Sequence, residues 1–195
     1  MKKIFLVFLI SIIFPIAIFA APFGFTMGMS LEDLTEACDG ADPKHIEDDC
    51  YYVFPVKKHP LFKHYVAFVD SDKGLYCIKA ISDDIQTNNY GSEIQNAFAE
   101  IKERVSKTYG KPRMIDEIAS DSLWKDDKYW VSALADGART YACIWESSSK
   151  NKLKDDLTDV SIYASAQRVP QMGWIILEYD FNNMQAVKDA QDDVF

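Results

Sequence analysis

One segment of the chain, Ser92–Tyr109, repeats its apolar residues at a helix's spacing, while most other patterned segments alternate with period two. Ile94, Phe98, Ile101 and Val105 lie three and four apart and define one buried face. Ser92 with Gln95 forms an N-terminal box, and Gly110 with Pro112 stops the helix. One long helix among short alternating segments restricts the chain to the α+β class, with helices packed on one face of an antiparallel sheet.

The alternating segments fall into two groups. Residues 51–57, 63–70 and 75–81 read as a three-stranded meander, with Pro55 confining the first to an edge and Gly74 turning the last hairpin. A short helix precedes them, started by a capping box at Ser30 and Asp33, with Leu31 and Leu34 facing inward. After the long helix, residues 126–136 form a second short helix carrying Trp130 and Leu134 and closed by Gly137. Strands follow at 138–146, 159–167 and 173–181, the first two joined by a polar connector at 147–158, and Asn182 caps a last helix towards Val194. Helix plus three strands therefore occurs twice, in similar halves at about 21–90 and 91–195 of a single compact domain.

Upstream lies a different kind of sequence. Lys2 and Lys3 precede an apolar run broken only by Ser11 and Pro15, which is the pattern of a secretory signal peptide covering residues 1–20. Cleavage is expected after Ala20, because one residue later Pro22 would follow the scissile bond. No cysteine lies near the junction to carry a lipid, so the product is expected in the periplasm or secreted, with no stable membrane insertion. An uncleaved anchor is the alternative, and Pro15 and the small residues at the end suit it less.

Loss of Lys2 and Lys3, with no acid, takes the formal charge from −9 to −11. Lys57, Lys58 and Lys63 are the nearest approach to a basic patch, so nucleic acid is excluded as a partner and another protein, preferably a basic one, is favoured.

Cys38, Cys50, Cys77 and Cys143 all follow the leader, and an even count in an oxidising compartment predicts two disulfides with three possible pairings. Cys38 and Cys50 bracket the acidic segment 39–49, whose closure would be worth roughly 3 kcal/mol. Cys77 would then join Cys143.

Alternation assigns the strand faces. Val160, Ile162, Ala164 and Ala166 point to the core in one strand, and Ile175, Leu177, Tyr179 and Phe181 in the next. The aliphatic residues Ala142 and Ile144, and the set Tyr76, Ile78 and Ala80, are placed inward as well, leaving Cys77, Lys79 and Cys143 outside. Arg139, Tyr141, Trp145, Tyr163, Trp174 and Glu178 then share an outer face with the aromatic and arginine content of a protein-binding surface.

No nucleophile elbow, metalloprotease helix, phosphate-binding glycine loop or Cys-x-x-Cys pair is present, so no catalytic, cofactor or metal residues are assigned. His59 and His64 have the wrong spacing for one helix face and alternate across a strand. His45 sits among Asp42, Glu47, Asp48 and Asp49 without the spacing of an EF-hand loop. The reading is a protein-binding, inhibitor or immunity-type module. The alternatives are an envelope hydrolase without a recognisable motif and a small-ligand or ion binder at residues 39–49.

The opening Phe23-Gly24-Phe25-Thr26-Met27-Gly28-Met29-Ser30, the helix end Lys107-Thr108-Tyr109-Gly110-Lys111-Pro112, the strand Arg139-Thr140-Tyr141-Ala142-Cys143-Ile144-Trp145 and the closing Leu177-Glu178-Tyr179-Asp180-Phe181-Asn182 resemble segments of small uncharacterised exported proteins of Gram-negative bacteria. The outline of two helix-plus-meander halves is also similar to beta-lactamase inhibitory protein and its relatives. That resemblance implies partner binding on a sheet face.

Overall fold

The computed structural model describes residues 21–192. The leader at 1–20 and residues 193–195 lie outside the described residues, and no described helix is long and apolar enough to cross a membrane.

The fold is α+β. Its elements are α1 (Leu31–Ala37), β1 (Lys44–Glu47), β2 (Cys50–Val53), β3 (Phe62–Asp70), β4 (Gly74–Ser82), β5 (Ile85–Gln86), α2 (Ser92–Tyr109), β6 (Arg113–Ile118), α3 (Trp130–Ala135), β7 (Arg139–Glu146), β8 (Leu157–Gln167), β9 (Met172–Phe181) and α4 (Met184–Asp192). The nine strands among the described residues form one open antiparallel sheet in the order β1-β2-β3-β4-β9-β8-β7-β6, with β5 paired to the start of β9. Each half contributes a meander, and the two meet where β4 pairs with β9.

Local chemistry explains most boundaries. Ser30 Oγ accepts from the Asp33 amide at 3.1 Å and the Ser30 amide donates to Asp33 Oδ2 at 2.8 Å, a complete capping box. Leu34 is buried beneath α1, whereas Leu31, expected inside, is 37 % exposed. The start of α2 is held differently from the sequence reading. Gly91 is its N-cap, Glu93 accepts from Thr87 and Asn88, and the Gln95 amide reaches the Tyr90 carbonyl. Gly110 ends α2 as expected.

Three helices cover one face of the sheet, called inner here. Leu34 of α1, Ile94, Phe98, Ile101 and Val105 of α2, and Trp130, Val131 and Leu134 of α3 join one core with the inner residues of β3, β4, β8 and β9. The small residues Ala164, Ala166 and Gly173 let these helices approach closely: a Cβ on Gly173 would lie 2.4 Å from Ile94 Cδ1. The fourth helix lies on the opposite, outer face, where Val187 packs on Tyr76 and Cys77.

Three departures from the sequence reading matter for function. The segment 39–49 is partly strand β1 rather than an open loop, and β6 adds an edge strand. A bulge at Phe68/Val69 opposes Phe68 to Cys77 and Val69 to Leu75, so Tyr76 leaves the main core for the outer cluster. Strand β7 is turned over: Cys143 and Trp145 are in the inner core with Tyr141 packed against it, the reverse of the expected facing. Burying two large rings under α2 and α3 gains more than burying Ala142 and Ile144 would.

The turn between β3 and β4 locks onto the N-terminal stretch. Gly28 N donates to the Leu75 carbonyl at 2.9 Å, and Leu75 N to the Met29 carbonyl at 2.8 Å. A Cβ on Gly74 would lie 2.2 Å from Gly28 O, at a φ of +68°. Gly74→Ala should therefore cost about 2–4 kcal/mol from strain and overlap together. Gly137→Ala, at the same φ but with open space, should cost only about 1–2 kcal/mol. Equal losses in urea melts would refute the close approach of the two backbones.

Candidate functional site

Two neighbouring features dominate the β3–β4 side of the molecule. The first is a cleft of about 1010 Å³ between the start of α1, the β1–β2 turn and the β3–β4 turn. Glu32, Asp48, Asp49, Asp70 and Asp72 contribute to its lining, with Lys73 as the one cation among its lining residues. Leu31, Tyr51 and Phe68 supply apolar wall.

The carboxylates are held by the turns that carry them. Asp70 Oδ1 accepts from the Asp72 and Lys73 amides at 2.9 and 2.8 Å, which fixes the tight turn. The Asp49 carbonyl accepts from Val69 N at 2.8 Å, while its carboxylate accepts from the Tyr76 hydroxyl. Burial and that carboxylate together push the Tyr76 phenol up. Asp48 has a positive φ of 44°, and its carbonyl meets His45 Nε2 at 2.9 Å.

The second feature lies on the outer face and is reached through Phe68 and Tyr76. Register places Cys77 beside Asp180, Lys79 beside Glu178 and Asp159 beside Asp180. Glu178 Oε2 accepts from the Tyr163 hydroxyl at 3.2 Å and lies 3.3 Å from Lys79 Nζ. Its other oxygen faces the Cys77 thiol at 3.8 Å. Lys79 also sits 5.2 Å above the Phe68 ring, a cation–π contact that joins the cluster to the cleft.

This cluster is electrostatically tense. Burial, then the Glu178 and Asp159 charges, push the Asp180 carboxyl up to about 7. Burial and Glu178 also raise Asp159. The Cys77 thiol is raised by burial first and by Asp180 and Glu178 next, with Lys79 opposing them, so it is a neutral thiol.

The face proposed from sequence is divided. Tyr163, Trp174 and Glu178 are on the outer face as expected, with Trp174 Nε1 donating to Asp84 Oδ1 at 2.8 Å. Arg139, Tyr141 and Trp145 belong to the inner side. Trp145 is 2 % exposed and donates to the Gly110 carbonyl at 2.7 Å. Tyr141 packs on Phe98 and Trp130, with ring centroids 4.6 and 5.3 Å away. The Arg139 guanidinium lies over Trp130 and pairs with Asp116 at 2.7 Å.

The disulfide expectation is also corrected, since Cys38, Cys50, Cys77 and Cys143 are all free thiols. Cys38 belongs to the inner core, whereas Cys50, opposite Phe68, is on the outer side, so the sheet separates them. Cys77 and Cys143 are on opposite faces, and β9 and β8 lie between their strands. Three strand spacings, about 14 Å, far exceed the reach of a disulfide.

Asp180, Asp159 and Phe68 were not among the residues singled out from sequence. The alternation that put Trp174 and Glu178 outward continues to Asp180, so one further step along β9 would have found it. The histidines make separate local contacts: His64 Nδ1 meets the Tyr52 hydroxyl at 2.9 Å, and His59 Nδ1 accepts from Leu61 N at 3.2 Å. Compared with protein-family models, curated proteins and solved structures, the chain matches none.

Proposed function

We propose that the domain is an exported protein-binding module that captures a basic protein in the cleft between α1 and the β1–β2 and β3–β4 turns. The observation that carries this reading is the lining: five carboxylates, one lysine and a wall of Leu31, Tyr51 and Phe68. Such a surface accommodates a lysine or arginine side chain, its charged head among carboxylates and its alkyl stem along the rings. A net charge of −9 over the whole chain adds long-range attraction for a cationic partner and raises its on-rate. The sequence pattern of residues 1–20 supports export. The outer-face aromatics Tyr163 and Trp174 extend the surface beyond the cleft.

A lysine-rich peptide titrated by calorimetry tests the reading. Binding should weaken as salt rises, and a glutamate-rich peptide of equal length should not bind. Asp48→Asn, Asp70→Asn and Asp72→Asn combined should weaken the lysine-rich peptide at least tenfold, about 1.4 kcal/mol, while the amide at position 70 keeps an acceptor for its turn. Unchanged affinity in the triple variant would remove the cleft from the proposal.

A further inference from the structure

We propose that Cys77, Glu178 and Asp180 form a binding site for a zinc-class divalent metal ion on the outer face of the sheet. This goes beyond partner binding and does not rest on it. One ligand atom from each of the three residues lies within 4.8 Å of the others. Tetrahedral zinc with one thiolate and carboxylate oxygens sets its ligands roughly 3.5 Å apart, so a small inward movement completes the site.

Further features suit a bound cation. Asp180 Oδ1 is buried without a hydrogen-bond partner, which a carboxylate oxygen rarely tolerates. Cys77 is 2 % exposed, and although it packs against Val187 and Tyr76, its thiol also faces a carboxylate oxygen of Glu178. The outer shell is prepared as well: Lys79 and Tyr163 both engage Glu178 Oε2 and leave Oε1 towards Cys77. Charge also closes, because a thiolate and two carboxylates balance a divalent ion plus the Lys79 ammonium. A water molecule would fill the fourth position.

The mixed sulfur and oxygen set selects the metal class. A thiolate favours zinc or cobalt over calcium or magnesium, which prefer all-oxygen cages. Binding displaces the thiol proton, and any proton on Asp180, to solvent, so affinity should rise with pH.

Cobalt(II) added to the purified protein tests this directly. The wild type should develop a thiolate-to-cobalt charge-transfer band and the intense visible absorption of tetrahedral cobalt, both displaced by zinc, and zinc should raise the melting temperature. Cys77→Ser should abolish the charge-transfer band, Cys50→Ser should leave it intact, and Asp180→Asn should weaken cobalt binding at least tenfold. No band in the wild type, or a band that survives Cys77→Ser, overturns the assignment. If Cys77→Ser does not fold, Asp180→Asn decides: full cobalt affinity there overturns it. Failure of the lysine-rich peptide to bind leaves this result unaffected.

Discussion

Replacing Trp145 with alanine should cost the domain about 3–5 kcal/mol, the usual penalty for emptying a large aromatic site in a core. Its ring is almost wholly buried under the end of α2, and its indole nitrogen donates to the Gly110 carbonyl. The substitution removes both the packing and a partner for that helix terminus. Trp174→Ala, on the outer face, should cost less than about 1.5 kcal/mol, the value of one exposed hydrogen bond to Asp84 and partial packing. Urea midpoints of the two variants check the assignment. Similar small losses would return β7 to the orientation expected from sequence and restore Trp145 to the binding face. With the structural assignment, Trp174 and Tyr163 are usable probes of binding, while a loss of binding in Trp145→Ala would report loss of fold.

The contrast shows what a sequence of this kind does and does not encode. The helix at 92–109, the Ser30–Asp33 box and the inner residues of β8 and β9 were legible because each depends on neighbours within one turn or one strand. Period two, however, determines only which residues share a face, and a second argument must choose the face. In β7 the choice of aliphatic over aromatic side chains was wrong, since Trp145 and Tyr141 bring more apolar surface to the core than Ala142 and Ile144. Strand β6 was invisible because Arg113, Met114, Asp116 and Glu117 are all exposed on an edge paired only with β7. The sheet order, with β9 beside β4, depends on long-range pairing that no local pattern carries, and the disulfide assignment failed with it.

The candidate sites were legible to the same degree. Glu178, Tyr163, Lys79 and Cys77 were placed outward by alternation, yet their convergence needed β4 and β9 to be neighbours. The cleft draws on α1, the β1–β2 turn and the β3–β4 turn, three elements joined only by the folded chain. Exposed Leu31 belongs to that cleft wall, which explains why the amphipathic reading of α1 misplaced it.

Acidification from pH 8 towards 5.5 should stabilise the metal-free protein. The sign follows from Asp180: its carboxyl is pushed up to about 7 in the folded state, by burial first and then by Glu178 and Asp159, against an ordinary value of 3.8. A group raised on folding contributes stability fully below its unfolded value and loses that contribution as pH rises through its folded value. Asp159 is raised in the same sense. Facing groups set the balance: Glu178 and Asp159 oppose the charged form of Asp180, the Cys77 thiol and Lys188 of α4 partly offset them, and Lys79 is paired with Glu178. Carboxylates held low, such as Asp33 at its capping box and Glu93 at the start of α2, act oppositely, but they stay ionised down to about their ordinary values and do not contribute in this window. One proton limits the slope to about 1.4 kcal/mol per pH unit, and solvent screening of a partly exposed cluster lowers it. Urea midpoints measured in chelator at pH 5.5 and 8 should be higher at pH 5.5. The difference should shrink in Asp180→Asn, which separates this site from the general relief of negative charge. A wild-type midpoint that rises with pH, or an unchanged difference in Asp180→Asn, would show that Asp180 is ionised in the folded protein throughout this range.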